Sequence, residues 1–291
     1  MMQEQEPMNA RSIVAEQSKD PVTVYDRVTK AWQLLMGEDL HFGFFENAQV
    51  ALPSATARLT REMADWAGVG GDTRVLDVGC GIGGPALYLA REAGSRVTGI
   101  STSAVGVQMA ASRAEAQGLS HRVEFFERDG MANEFPDESF DRVWIMESSH
   151  LMERKDLLLA ESARVLRRDG LLVLCDIIVR NTIPVLYLAR NLSEFENLNT
   201  VFGKQHVEPL NAYRECAENA GLTVLRAEDI SAAVFPTLEH WRRNAELHPG
   251  ELQELVGEEY LDRFVRTCGF LERLWNEEKL GYGILLARRS F

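Results

Sequence analysis

Residues 74–84 read RVLDVGCGIGG, and this stretch decides the fold. RVLDV (74–78) reads as a buried strand, and GCGIGG after it turns into a helix that opens at Pro85. Glycines in such a turn permit tight backbone geometry and let the chain approach a ligand closely, while the helix N-terminus offers free N–H groups. A nicotinamide-binding loop would read G-x-G-x-x-G, with an acid about 20 residues later at the end of the second strand. Here the spacing is G-x-G-x-G-G, Asp77 lies two residues before Gly79, and the second strand ends in Ser101. These departures point away from a dinucleotide.

The alternation continues outward from the loop. RVTGI (96–100), RVEFF (122–126), DRVWIM (141–146) and LLVLCDIIV (171–179) read as further strands, with helices at 103–117 and about 154–167 between them. A turn is expected at Asp169-Gly170. Strands separated by helices at this spacing imply parallel βαβ units with right-handed crossovers, so the expected fold is α/β, a Rossmann-like sheet with helices on both faces. Later in the chain, LTVLRAEDI (222–230) and GYGILLARR (281–289) read as two more strands, which brings the sheet to seven.

Residues 1–18 read as a loose tail, and Asp20-Pro21 as the cap of an amphipathic helix over 21–36. An aromatic connector, HFGFF (41–45), leads to a second helix over about 53–67. Segments 183–204 and 235–277 interrupt the alternation, and Val256 to Leu274 lays an apolar face along the second. They are expected to form a helical cap over the C-terminal strand edge, with 19–68 contributing to the lid. Ligands bind at that edge in open α/β sheets.

The formal net charge is −13, which opposes an extended grip on phosphate backbones and disfavours a nucleic-acid partner. Four cysteines, none in a CxxC pair, read as reduced thiols of a cytoplasmic protein rather than a disulfide frame or a zinc site. The longest apolar run, 171–179, is interrupted by Asp176 and too short to cross a bilayer. No membrane or metal partner is expected, and self-association into a homo-oligomer is compatible with this composition.

VLDVGCGIGG resembles motif I of the class I S-adenosylmethionine-dependent methyltransferases, and the resemblance runs from about Tyr25 to the end of the chain. It implies S-adenosyl-L-methionine as cofactor and S-adenosyl-L-homocysteine as product. It also implies that Asp77 orients the methionine amino group, that Gly79, Gly81 and Gly83 make room for the nucleoside, and that Asp129, with Gly130, approaches the adenine. Ser101 stands where most relatives have the acid that holds the ribose, a departure shared with one branch of the family. Glu147 and Tyr25 are further cofactor candidates, although Tyr25 fits the apolar stripe of its helix equally well.

Methyl transfer needs the nucleophile in line with the methyl group, and often a base for its proton. MESSHLM (146–152) follows the fourth strand, where His150 is the candidate base, and Asp176 on the fifth strand is placed to orient its imidazole. ESSHLM and CDII resemble the corresponding segments of the rebeccamycin sugar and tocopherol methyltransferase-like branch, in which such a His and Asp form the catalytic pair. His41, Phe42, Trp32 and His206 are candidates for lining the acceptor pocket, although aromatic clusters and lone histidines are more often core. The leading expectation is O-methylation of a small, secondary-metabolite hydroxyl. The alternative is C-methylation of a prenyl, isoprenoid or aromatic acceptor. For a diphosphate acceptor a basic cluster is expected, and Arg242-Arg243 is the one obvious pair in the cap. A non-catalytic binding protein on the same fold ranks lower, because Asp77, Asp129 and His150 are all retained.

Overall fold

Five strands of the alternating region and two later ones form one seven-stranded sheet, ordered 3-2-1-4-5-7-6 when the strands are numbered along the chain. The computed structural model describes residues 21–47 and 49–290, with backbone alone for 21–28. The expected 1–18 tail and the cap at Asp20 lie outside the described residues. The described chain divides into two compact units.

The sheet unit comprises His41–Arg180, His206–Val234 and, at the end of the described residues, 281–290. Its strands are β1 (Arg74–Val78), β2 (Arg96–Ser101), β3 (Val123–Glu127), β4 (Phe140–Met146), β5 (Leu166–Val179), β6 (Leu222–Asp229) and β7 (Leu280–Arg289). β1 pairs in parallel with β2 and β4, β2 with β3, and β4 with β5, while β6 and β7 run antiparallel. Leu76, Val143, Leu158, Leu172 and Leu285 are fully buried in one continuous core. Strands covered on both faces read as unbroken apolar runs, which is why they were visible in the sequence.

Register aligns the C-terminal strand ends. Asp77 sits beside Gly99 and Trp144, Val78 beside Ile100, and Met146 beside Cys175, so the residues that follow β1, β4 and β5 emerge at one edge. β5 starts earlier than its apolar run: the preceding helix stops at Val165 and Leu166 already pairs with Phe140. Asp169 and Gly170, expected as a turn, lie within β5, where a register shift between the Phe140 and Arg142 pairs absorbs them and Asp169 has φ 61°.

The second unit takes residues up to Leu40, Asn181–Gln205 and Phe235–Leu280. It is helical: α1 (Pro21–Met36), then, later in the chain, helices Val185–Arg190, Leu192–Phe202, Pro236–Leu247, Pro249–Val256 and Glu258–Asn276. The stretch 183–204, expected to be helical, holds two helices that meet at Asn191. Phe202 packs on Trp241 and Phe264, Phe195 on Phe270, and Trp32 donates its indole N–H to the Tyr260 hydroxyl at 2.9 Å. No helix among the described residues is long and apolar enough to cross a membrane.

Candidate functional site

His150 lies in a single 3-10 turn, Ser149–Leu151, just past β4, and Asp176 lies in β5. The parallel pairing of these two strands brings them together. His150 Nδ1 is 2.7 Å from Asp176 Oδ1, and the same oxygen accepts the Ile177 amide at 2.8 Å. Oδ2 accepts the His150 amide at 2.9 Å and the Ser149 hydroxyl, which in turn lies 2.8 Å from the Tyr213 hydroxyl. Asp176 is fully buried, and four donors converge on its two oxygens.

Burial opposes the Asp176 charge, but His150, Ser149 and the His150 amide outweigh it and hold the carboxyl below its ordinary range. Burial likewise disfavours a charged His150, yet Asp176, by charge and hydrogen bond, and then Glu147 lift its pKa above the ordinary value. The two shifts agree in direction. An ionised Asp176 accepts from Nδ1–H, which leaves the lone pair on Nε2. The tautomer is inferred from this bond pattern.

The turn is itself gripped. His206 N–H donates to the His150 carbonyl at 2.7 Å. Lys155, 5% exposed at the start of the next helix, donates to the Ser149 and His206 carbonyls at 2.7 Å each, and also to that of Met152. His206 therefore contributes through its backbone. The sequence reading missed Lys155, Ser149 and Tyr213. One signal was available: a lysine on the first turn of a helix opposes the helix dipole and calls for a reason.

At the neighbouring strand ends, Asp77 is 2% exposed, and its Oδ2 is buried without a hydrogen-bond partner among the described residues. Burial pushes its pKa up to about 7. A buried carboxylate oxygen with no donor fits an incoming cation such as an amino group. Gly79, Gly81 and Gly83 all have positive φ, and a Cβ on Gly81 would meet nothing within 4 Å, so the loop leaves space at its apex. Ser101 ends β2, its hydroxyl accepting the Ser103 amide at 3.2 Å. Asp129 stands exposed two residues past β3, accepting the Met131 amide at 2.8 Å. Gly130 is buried, where a Cβ would lie 2.5 Å from Val78. These residues fit a nucleoside ligand running along the edge of β1, β2 and β3.

Glu147, at φ 48°, accepts the Phe42 amide at 2.7 Å and the Tyr282 hydroxyl at 2.6 Å on one oxygen, and burial raises it to about 8. It ties the aromatic connector to the sheet. His41 is buried with its ring nitrogens at Phe42 O (2.7 Å) and Thr60 Oγ1 (3.4 Å), and Phe42 packs on the Tyr282 ring. Trp32 belongs to the helical unit, and the Tyr25 side chain lies outside the described residues. No group of three or more metal-ligating side chains is found among the described residues.

Residues 75–170 match the family model described as "Methyltransferase domain". The chain is 34% identical to 27-O-demethylrifamycin SV methyltransferase of Amycolatopsis mediterranei over 266 residues, 91% of this chain and 95% of that one. It is 34% identical to Methyltransferase GfsG of Streptomyces halstedii over 222 residues, 76% and 78% of the two chains. Among solved structures, the [4+2]-cyclase SpnF is similar over 97% of this chain and 98% of that one, with TM-score 0.76 and 28% identity. Relatives of that identity over 76% and 91% of the chain, on a sheet of this order, place the protein in the class I methyltransferases, enzymes that use S-adenosylmethionine.

Proposed function

We propose that this enzyme methylates a hydroxyl of a small secondary-metabolite acceptor, with His150 as general base and Asp176 as the group that orients it. The observation that carries the reading is the 2.7 Å contact from His150 Nδ1 to Asp176 Oδ1, on a carboxylate held ionised by four donors. S-adenosylmethionine, when bound, supplies an electrophilic methyl group on a sulfonium centre. Asp77 would hold its amino group, Gly79, Gly81 and Gly83 would clear space for the nucleoside, Ser101 would serve the ribose, and Asp129 with Gly130 the adenine. Glu147 is the least supported cofactor contact, because its Oε1 already serves Phe42 and Tyr282. His150 Nε2 would take the hydroxyl proton, and Asp176 would balance the imidazolium that forms.

The rifamycin relative, named for transfer to an oxygen, supports the O-methyl reading and an antibiotic-type acceptor. C-methylation of a diphosphate is less supported, since Arg242 lies 3.5 Å from Glu272 rather than in a basic cluster. The four cysteines are thiols, in keeping with a reducing, cytoplasmic setting.

The test is turnover with S-adenosylmethionine and 27-O-demethylrifamycin SV, read by product mass. His150→Ala is expected to bind S-adenosylhomocysteine as the wild type does, and to lose about 10²- to 10⁴-fold in transfer rate. Full transfer by His150→Ala overturns the base assignment. A product of unchanged mass favours a cyclase of the SpnF kind instead.

A further inference from the structure

We infer that Lys155 is a positioning residue for methyl transfer: its ammonium clamps the turn that carries His150 and so sets the aim of Nε2. The inference rests on the reading of His150 as base. Ser149 O and Met152 O flank His150 on either side along the chain, and one atom, Lys155 Nζ, takes both. Its third hydrogen bond goes to His206 O, while His206 N–H reaches back to His150 O. The three segments close into a ring of hydrogen bonds around the histidine's own backbone. An ammonium has three donors, and here all three are used, each on a carbonyl.

The arrangement is costly. A cation is buried, and it sits on the first turn of a helix, where the dipole opposes it. A neutral residue at this first helical position would start the helix more cheaply. What a neutral residue cannot supply is a single point that draws three carbonyls together and puts a positive charge beside the dyad. The titratable groups facing His150 are Asp176 on β5, Glu147 after β4 and Lys155. Those facing Lys155 are His150, Asp176, Glu208 and Cys216, with the Tyr213 ring 6.0 Å away. The ammonium works against protonation of His150, so its removal raises the histidine's pKa.

The full-length protein, saturated with S-adenosylhomocysteine, can be followed by NMR of the His150 imidazole from pH 5 to 9. In Lys155→Met the His150 titration is expected to move to higher pH, and the downfield Nδ1–H resonance to exchange at least about tenfold faster as the turn loosens. Lys155→Gln, which keeps two N–H donors and no charge, should share the titration shift and recover part of the Nδ1–H protection. Unchanged titration and exchange in a folded variant overturn the inference. Should neither variant fold, the wild type decides. There the Lys155 ammonium must stay protected from exchange up to pH 9, and a freely exchanging amine overturns the clamp. His150→Ala, assayed in parallel with 27-O-demethylrifamycin SV, separates the two ideas. Transfer that survives His150→Ala removes the base. Transfer lost there, with both NMR readouts unmoved in the Lys155 variants, removes only the clamp.

Discussion

Asp77 is raised to about 7 by burial from an ordinary 3.8, and that shift makes a stability statement. In the cofactor-free protein the folded state holds the proton to higher pH than the unfolded chain does. Stability therefore falls as pH rises from about 4 to about 7. Asp77→Asn removes this dependence. Its stability relative to wild type should improve by on the order of 2–4 kcal/mol between pH 4 and pH 8, read by denaturant melts. Parallel curves for the two proteins would refute a buried, unpartnered Asp77. His150 works in the same direction: raised by Asp176, its contribution is complete below its unfolded pKa and disappears as pH rises through the folded one. In catalysis, Asp176→Asn keeps the shape but loses the charge, so transfer should fall less than in His150→Ala. The double variant should be less than additive, since both residues serve one proton transfer. Strict additivity in the measured rates would mean that they act separately. The proximity of His150 and Asp176 was legible in the sequence because one follows the fourth apolar run and the other lies within the fifth. Lys155, Ser149 and Tyr213 were not, because they act through backbone carbonyls and a hydroxyl chain that only the tertiary fold assembles. His206 was singled out for its ring, whereas its peptide group makes the hydrogen bonds to the His150 turn.

The loop between β1 and the helix Gly84–Glu92 separates two roles that its glycines share in sequence. Gly79 has φ 83°, and a Cβ there would fall 2.1 Å from Ser148 Cβ, whereas Gly81 has φ 52° and open space around the added atom. Both substitutions carry the left-handed cost of about 1–2 kcal/mol, and only Gly79→Ala adds a clash with the β4 turn. Gly79→Ala should lower the melting temperature markedly. Gly81→Ala should stay folded and lose S-adenosylhomocysteine affinity, as calorimetry would show. Equal loss of stability in both would deny Gly81 its place beside the ligand. At this scale most of the fold was legible, since buried parallel strands announce themselves as apolar runs. The early start of β5 was not, because Leu166–Gly170 reads as a helix end and a turn, and only its pairing with Phe140 makes it strand.

A formal net charge of −13 argues against a nucleic-acid partner. At physiological salt no retardation of tRNA in a gel is expected, while S-adenosylhomocysteine at a hundred times its Kd should stabilise the protein by about 2.7 kcal/mol. For a chain of 291 residues that corresponds to a rise in Tm of roughly 4–5 °C, and NAD at the same concentration should give none. A shift with NAD alone would contradict the cofactor loop.

β7 lies between β5 and β6 in the sheet, yet it is made after both, and Leu280–Ala287 are buried throughout. During synthesis β5 therefore waits with an unpaired edge, backed by Leu172, Val173 and Leu174, until the last strand arrives to fill the gap. Such an edge is a template for pairing with another chain. Ribosomes stalled before residue 280 should yield products that aggregate or recruit chaperones, and the C-terminal ten-residue strand thus acts as the molecule's own guard against misassembly.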